Sequence, residues 1–248
     1  MRLGVFGGTF DPVHRMHLVI AHEVLRAMGL DQVLFVPTGK SSHRDPIVVT
    51  EARHRCAMIT AAIRGEPRFR LCCVDVERPK RTYTIDTLTD LRAQHDPHTE
   101  LFVIVGADNL ATLPTWHRGR QLMRTAPFVA VSRPGHPMVD PGFAPGRLTM
   151  LHVPPLRFSA TAIREKVGRG LPVGDLVPEA VVRYIHDHEL YRAEPGRALD
   201  GTSGARSQAS GAPGVRMAPG RQRGPSLNGA DQPGDSVTTP GVNWRTGT

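Results

Sequence analysis

The stretch from residue 3 to residue 17, LGVFGGTFDPVHRMH, constrains the fold more than any other part of the chain. Its apolar residues 3–6 predict a buried strand, and the two glycines that follow predict a sharp turn. His14 and His17 come next, at the start of an apolar-periodic segment that predicts a helix. Glycine lets backbone N–H groups approach a ligand, and a helix N-terminus attracts anions. Because residues three apart share a helix face, both histidines are expected to face one bound phosphate.

The same residues have a plainer interpretation, which the stretch alone does not exclude. Glycine turns end strands in most α/β proteins, and two histidines on a surface helix are often only solvated. The distant segment FSATAIR, residues 158–164, changes the balance. There Ser159 predicts a helix N-cap, and Arg164 lies about one turn further on. Two helix starts with hydroxyl residues, histidines and an arginine together predict a site that grips one polyphosphate.

Composition restricts the class of protein. The 248 residues are 40% hydrophobic, enough for one sizeable core and an appended segment. No apolar run approaches the roughly 18 residues of a membrane span, and the N-terminus lacks a secretory signal. The spacing of Cys56, Cys72 and Cys73 fits neither a disulfide framework nor a zinc site, so we expect a cytoplasmic protein. The formal charge of +8 favours anionic partners, either nucleic acid or phosphorylated small molecules.

Apolar strands alternate with amphipathic helices along most of the chain. The predicted strands span residues 3–6, 32–36, 69–76, 101–105, 128–132 and 148–153. The predicted helices span residues 17–28, 51–64, 85–94, 159–168 and 178–188, with short helical pieces near residue 116 and at 120–124. This alternation predicts an α/β fold with a mostly parallel sheet and helices on both faces. Ligands of such sheets bind at the carboxyl ends of the strands, where the glycine turn and residues 106–108 are expected.

The composition changes beyond about residue 193. Residues 193–248 are rich in Gly, Ser, Pro and Arg and hold almost no large apolar side chains. Such a segment cannot bury enough surface to offset its chain entropy, so we predict a disordered tail after a single domain of residues 1–192. Its arginines are neither clustered nor interleaved with aromatic residues, which favours a solvated tail over an RNA-binding one.

The motifs resemble those of a known family. GGTFDPVHRMH, GAD and FSATAIR are similar to the HxGH and SxTxxR motifs of the nucleotidyltransferase superfamily. Within it, residues 36–44, 82–88, 106–110 with Trp116, and 132–135 resemble bacterial nicotinate-nucleotide adenylyltransferases. The resemblance extends from residue 1 to about residue 192. It implies a Rossmann-like, doubly wound fold and the transfer of AMP from ATP to nicotinate mononucleotide, giving deamido-NAD and pyrophosphate in NAD biosynthesis.

The resemblance also implies roles for individual residues. His14, His17 and Arg164 would be catalytic, acting on the ATP phosphates. The implied ATP site consists of Gly7, Gly8, Thr9, Phe10, His14, His17, Arg44, Gly106, Asp108, Ser159, Thr161 and Arg164. The implied nicotinate mononucleotide site consists of Thr38, Thr84, Trp116 and Arg133. Mg²⁺ would arrive with ATP, held by phosphate oxygens and water and not by protein ligands.

The reaction suits these residue types. Its nucleophile is a phosphate oxygen that is already ionised at pH 7, so positioning and charge stabilisation suffice without a general base. The implied role of Trp116 is to stack on the pyridine ring, although a half-buried core aromatic is an equal alternative from the residue alone. The backbone near Thr84 would receive the nicotinate carboxylate, and the same residue is also a candidate helix N-cap.

Three departures from the family pattern stand out. Met16 replaces the glycine of HxGH, residues 41–44 (SSHR) lack the usual proline, and Ala160 replaces a hydroxyl residue. They leave open a non-catalytic nucleotide-binding paralogue, and a related enzyme such as phosphopantetheine adenylyltransferase ranks below that. An RNA-binding protein has no supporting motif or aromatic platform. The sequence leaves a homo-oligomer open and predicts no membrane partner.

Overall fold

The computed structural model describes residues 1–39, 50–154 and 159–192. Within them six strands form one sheet in the order β3-β2-β1-β4-β5-β6, and every neighbouring pair is parallel. The strands are β1 (Arg2–Gly8), β2 (Gln32–Pro37), β3 (Phe69–Leu71), β4 (Glu100–Gly106), β5 (Phe128–Val131) and β6 (Leu148–Leu151). The predicted parallel α/β sheet is therefore confirmed. Chain order reverses between β1 and β4, which places a crevice at their carboxyl ends.

Helices cover both faces of the sheet, as the alternation predicts. They are α1 (Arg15–Ala27), α2 (Ala52–Ile63), α3 (Val74–Glu77), α4 (Thr84–Gln94), α5 (Ala107–Leu110), α6 (Gly119–Thr125), α7 (Ala160–Gly168) and α8 (Glu179–Asp187), with a 3₁₀ turn at Leu113–Thr115. One core packs α1, α2, α7 and α8 against alternate strand residues such as Phe6 and Phe35. The other packs α4, α5 and α6 against the residues between them, such as Val5 and Leu34. Strands buried on both faces explain the continuous apolar runs.

None of the helices in the described ranges is long and apolar enough to cross a membrane. The predicted tail from residue 193 onward and the loop that carries Arg44 lie outside the described residues.

The predicted turn at Gly7 and Gly8 is wrong in detail. Both glycines still belong to β1, where they pair with Val36 and Pro37 of β2. The chain turns afterwards, and the left-handed backbone conformation falls on Phe10, whose φ is 52°. The glycines matter for space instead, since a Cβ on Gly7 would meet no atom within 4 Å and would only fill the crevice. Helix α1 accordingly begins at residue 15, two residues before its predicted start.

The predicted strand at residues 69–76 is also wrong beyond Leu71. Its second half alternates apolar and acidic residues, a pattern that reads as a strand, but Val74–Glu77 form the single helical turn α3. Only residues 69–71 pair with β2, because the chain leaves the sheet after Leu71 and enters α3. The acidic side chains of Asp75 and Glu77 lie in the first turn of the helix, where its dipole favours them.

Candidate active site

A cavity of about 1150 Å³ opens at the carboxyl ends of β1 and β4. Every candidate site residue that falls within the described ranges lines it. They are Gly7, Gly8, Thr9, Phe10, His14, His17, Thr38, Thr84, Gly106, Asp108, Trp116, Arg133, Ser159, Thr161 and Arg164. The fold thus brings together segments that are more than 150 residues apart in the chain.

His14 and His17 form a stacked pair at the start of α1. Their ring centroids lie 3.7 Å apart with a 20° angle between planes. The backbone N–H of His14 donates to Nδ1 of His17 at 3.1 Å, so the proton of a neutral His17 belongs on Nε2. The ring of Phe10 packs edge-on against His17 at 4.8 Å. Phe10 is 2% exposed, so its main role in the site is to pack against His17.

Both histidines are held in the neutral form. Burial, with help from the nearby Arg133 guanidinium, lowers the pKa of His14 to about 4. Burial, the neighbouring His14 ring and Arg133 lower the pKa of His17 well below its ordinary value. Neutral imidazoles donate hydrogen bonds without adding charge, so the positive charge of the cavity comes from its arginines.

The second predicted helix start lies beside the first. Ser159 caps α7, and its Oγ accepts a hydrogen bond from the backbone N–H of Ala162 at 3.3 Å. Arg164 turns back over this first turn and reaches the loop after β1. Its Nη1 donates to the backbone carbonyl of Asp11 at 2.8 Å, and its Nη2 donates to Thr161 Oγ1 at 3.4 Å. The starts of α1 and α7 therefore lie at the same cavity, and the joint anion site stays a prediction.

Arg133 and Asp108 face each other across the mouth of the cavity, at the ends of β5 and β4. Their side chains form an ion pair at 2.5 Å. Arg133 is also close enough to both histidines to depress their pKa values. Arg133 therefore adds a cation to the cavity wall, which can attract an anionic ligand.

The opposite end of the cavity has a different character. Helix α4 begins at Thr84, one residue earlier than predicted, and the N-cap is Tyr83, which makes no side-chain cap. The carbonyl of Tyr83 accepts from the backbone N–H groups of Asp86 and Thr87. The N–H groups of Thr84 and Ile85, which come before them, are the ones that can receive an anion. Trp116 lines the same end, half-buried, and its Nε1 donates to Thr112 Oγ1 at 3.3 Å. Tyr83 and His117 pack their rings 4.2 Å apart nearby.

Comparison with known proteins gives a consistent family. A model of the cytidylyltransferase-like family matches residues 5–166. A Leifsonia xyli protein named probable nicotinate-nucleotide adenylyltransferase is 48% identical over 77% of this chain and 94% of its own length. A Streptomyces coelicolor protein of the same name is 45% identical over 76% of this chain and 100% of its own length. The chain belongs to the nicotinate-nucleotide adenylyltransferases of the cytidylyltransferase-like family.

Solved structures support the fold of this family. The Plasmodium falciparum nicotinic acid mononucleotide adenylyltransferase in complex with NaAD superposes with a TM-score of 0.64, covering 77% of this chain and 97% of that one. The same protein in complex with APC gives a TM-score of 0.63. Sequence identity is 20% in both, so the likeness concerns the Rossmann-like fold alone.

Met16 is the residue at which this family member departs from the HxGH pattern. It lies between the two histidines in the first turn of α1 and is 9% exposed. Its side chain packs against the core formed with α2, α7 and α8, and it also lines the cavity. The methionine is thus largely folded away from the nucleotide side, although it still contributes to the wall.

Several residues of the site were not predicted from the sequence. Asp75 lines the cavity, where Thr87 Oγ1 donates to its Oδ1 at 2.7 Å and burial raises the pKa of its carboxyl group. It was not predicted as a site residue because its segment was predicted to be a strand. Asp11, Arg55 and Tyr191 form a polar cluster at the cavity, in which Asp11 and Arg55 are buried and Tyr191 is half-buried. Asp11 lies within the first motif, but its partners were not predicted because they are 44 and 180 residues away.

Proposed function

We propose that the chain transfers AMP from ATP to nicotinate mononucleotide, giving deamido-NAD and pyrophosphate. The observation that carries this proposal is one cavity with two different ends. One end joins the starts of α1 and α7 with His14 and Arg164, which suits a polyphosphate. The other joins the start of α4 with Trp116, which suits a planar ring that bears a carboxylate.

The chemistry needs no proton transfer from the protein. A phosphate oxygen of nicotinate mononucleotide attacks the α-phosphorus of ATP, a new P–O bond forms, and the bond to the β-phosphate breaks to release pyrophosphate. In this assignment the Nε2–H groups of His14 and His17 donate to phosphate oxygens, while Arg164 and Arg133 balance the charge of the transferring group. Removing one such donor typically costs about 100- to 1000-fold in rate.

Mg²⁺ fits this arrangement as a companion of ATP. Three carboxylates at the wall are each already engaged. Asp108 pairs with Arg133, Asp75 accepts from Thr87, and Asp11 accepts from Tyr191 and Thr50. Among the described residues, no group of three or more His, Cys, Asp or Glu side chains is placed to hold a metal ion. We therefore assign the ion to phosphate oxygens and water, where it would neutralise charge on the leaving pyrophosphate. Substrates of this kind and unpaired cysteines Cys56, Cys72 and Cys73 suit a cytoplasmic enzyme.

The test is direct product analysis. Incubation with ATP, Mg²⁺ and nicotinate mononucleotide should give deamido-NAD and pyrophosphate in equal amounts. The variant His14→Ala should lose at least about 100-fold in kcat. His98→Ala is the control and should match the wild type, because it removes an exposed histidine in the turn between α4 and β4. Formation of neither product by folded wild-type protein would leave the non-catalytic paralogue as the better description.

A further inference from the structure

The segment that follows α8 reaches the loop that follows β1. The hydroxyl group of Tyr191 donates a hydrogen bond to Oδ1 of Asp11 at 2.6 Å. Tyr191 has a φ of 63°, a left-handed conformation that non-glycine residues rarely adopt and that surrounding contacts must hold in place. Its hydroxyl also lies 3.9 Å from Sδ of Met58 in α2. Tyr191 is not among the residues that line the cavity.

Asp11 links this tyrosine to the candidate catalytic residues. It is only 2% exposed, and both of its carboxylate oxygens accept hydrogen bonds. Oδ1 accepts from Tyr191, and Oδ2 accepts from the backbone N–H of Thr50 at 3.1 Å. The backbone carbonyl of the same residue accepts from Arg164. One residue of the loop thus connects the segment after α8, the start of α2 and the arginine of α7.

Arg55 completes the arrangement from the other side. It is 3% exposed, and its three donor nitrogens each reach a backbone carbonyl. Nε donates to Thr50 at 2.9 Å, Nη1 donates to Thr9 at 2.8 Å, and Nη2 donates to Thr38 at 2.7 Å. Thr9 and Thr38 line the cavity, so the guanidinium ties two of its walls to α2. We refer to Asp11, Thr50, Arg55, Arg164 and Tyr191 as the Asp11 cluster.

We propose that Tyr191 is a positioning residue for nucleotidyl transfer, acting through Asp11 on the loop after β1 and on Arg164. This inference rests on the proposed function, because it assigns the loop and Arg164 to the ATP phosphates. The hydroxyl group holds the Asp11 carboxylate in the one orientation that also satisfies Thr50. The loop that carries Thr9 and His14 is thereby fixed against α7.

The hydroxyl is more than a packing contact because the carboxylate it serves is buried. Without it, Oδ1 of Asp11 is left without its donor, and an unpaired buried carboxylate oxygen rearranges to find another. Arg164 already donates to the backbone carbonyl of Asp11, and Arg55 donates to the nearby carbonyl of Thr9, so a rearrangement of Asp11 moves the groups that both arginines hold. A shift of Arg164 or of the loop by about 1 Å is enough to cost on the order of 100-fold in rate.

The test compares two tyrosine variants in the full chain. Tyr191→Phe removes the contact with Asp11. Tyr184→Phe is the matched control, since Tyr184 lies in α8, outside the cavity lining, and its hydroxyl shares a 3.0 Å hydrogen bond with Nδ1 of His54 in α2. Each protein is assayed for pyrophosphate release, with active sites counted by calorimetric titration with nicotinate mononucleotide and with Tm measured in parallel.

We expect Tyr191→Phe to lower kcat/KM for ATP by about tenfold or more per active site, with KM for nicotinate mononucleotide unchanged. Tyr184→Phe should leave both parameters at the wild-type value. Asp11→Asn breaks the cluster from the other side, and the double variant should be no worse than the more impaired single one. This double-mutant cycle also tests the positioning role if Tyr191→Phe lowers the folded fraction.

Three results would overturn the inference. They are wild-type kcat/KM for ATP in Tyr191→Phe, equal losses in the two tyrosine variants, or additive losses in the double variant. The proposed function fails separately, because its failure is the absence of product from the wild-type enzyme. If the wild-type enzyme forms product and Tyr191→Phe has the same kcat/KM for ATP, only the positioning role is contradicted.

Discussion

At the scale of single residues, the site depends on side chains that are placed by burial. His14 is 7% exposed, yet its ring faces the cavity and stacks on His17. The motif residues were predictable because their spacing is local. The roles of Arg55 and Tyr191 were not, because their side chains acquire partners such as Asp11 only through tertiary contacts.

Met16 gives the first prediction at this scale. Replacing it with glycine opens the cavity wall between the histidines, and we expect kcat/KM for ATP to rise roughly tenfold, equivalent to about 1.4 kcal/mol of transition-state stabilisation. Because the side chain packs in the core, the free energy of unfolding should fall by about 2–4 kcal/mol, more than the helix propensity of glycine alone implies. Met16→Ala is the intermediate control. An unchanged or lower kcat/KM in a folded Met16→Gly protein would show that methionine is fully accommodated.

The depressed pKa of His14 gives the second prediction. The unfolded chain binds this proton at an ordinary pKa of 6.5, whereas the folded protein binds it at about 4. The contribution to stability is therefore complete above pH 6.5 and is lost as pH falls from 6.5 towards 4, amounting to about 3 kcal/mol. His14→Gln should remove this part of the pH dependence, which denaturant titrations of both proteins between pH 7 and 4 would measure. Parallel stability curves would contradict the assignment.

At the scale of elements, the cavity is built from helix starts. The first turns of α1, α4 and α7 all lie at its wall, and the N-terminus of a helix attracts anions. The sequence predicted all three helices to within two residues. It missed the short turn α3, because the alternation of apolar and acidic residues in this segment is typical of a strand. It placed the turn after β1 too early, because Gly7 and Gly8 still belong to the strand and leave room in the crevice without turning the chain.

Trp116 gives a prediction at this scale, since the 3₁₀ turn at Leu113–Thr115 carries it to the α4 end of the cavity. Trp116→Ala should raise KM for nicotinate mononucleotide by roughly 10- to 100-fold, because stacking of an aromatic side chain on a base contributes about 1–3 kcal/mol. KM for ATP should stay at the wild-type value. Trp116→Phe, which keeps a smaller ring, should lie between the two. Equal increases in both KM values would place the tryptophan in the scaffold and not at the ring.

At the scale of the whole molecule, the strand order 3-2-1-4-5-6 fixes where the site can be. The reversal of chain order between β1 and β4 opens the crevice, and the alternation of strands and helices was enough to predict such a sheet. Strand order itself required the family resemblance, because nothing in the sequence of one strand names its neighbour.

The boundary of the folded domain gives the prediction at this scale. A chain that ends at Arg192 should keep the wild-type Tm and kcat, because residues 193–248 have no apolar periodicity with which to pack. A chain that ends at Leu190 is the informative comparison, since it also removes Tyr191 and should lose activity. Thermal melts and pyrophosphate assays on both chains would measure this. Unfolding of the chain that ends at Arg192 would show that the tail packs on the domain.

The central claim is that one end of the cavity selects a pyridine carboxylate. The most direct measurement is a competition in which nicotinate mononucleotide and nicotinamide mononucleotide are supplied in equal amounts with limiting ATP and Mg²⁺. The ratio of deamido-NAD to NAD then gives the ratio of the two kcat/KM values. We predict that deamido-NAD dominates, because the N–H groups at the start of α4 favour an anion over a neutral amide. An equal or larger amount of NAD would contradict the account.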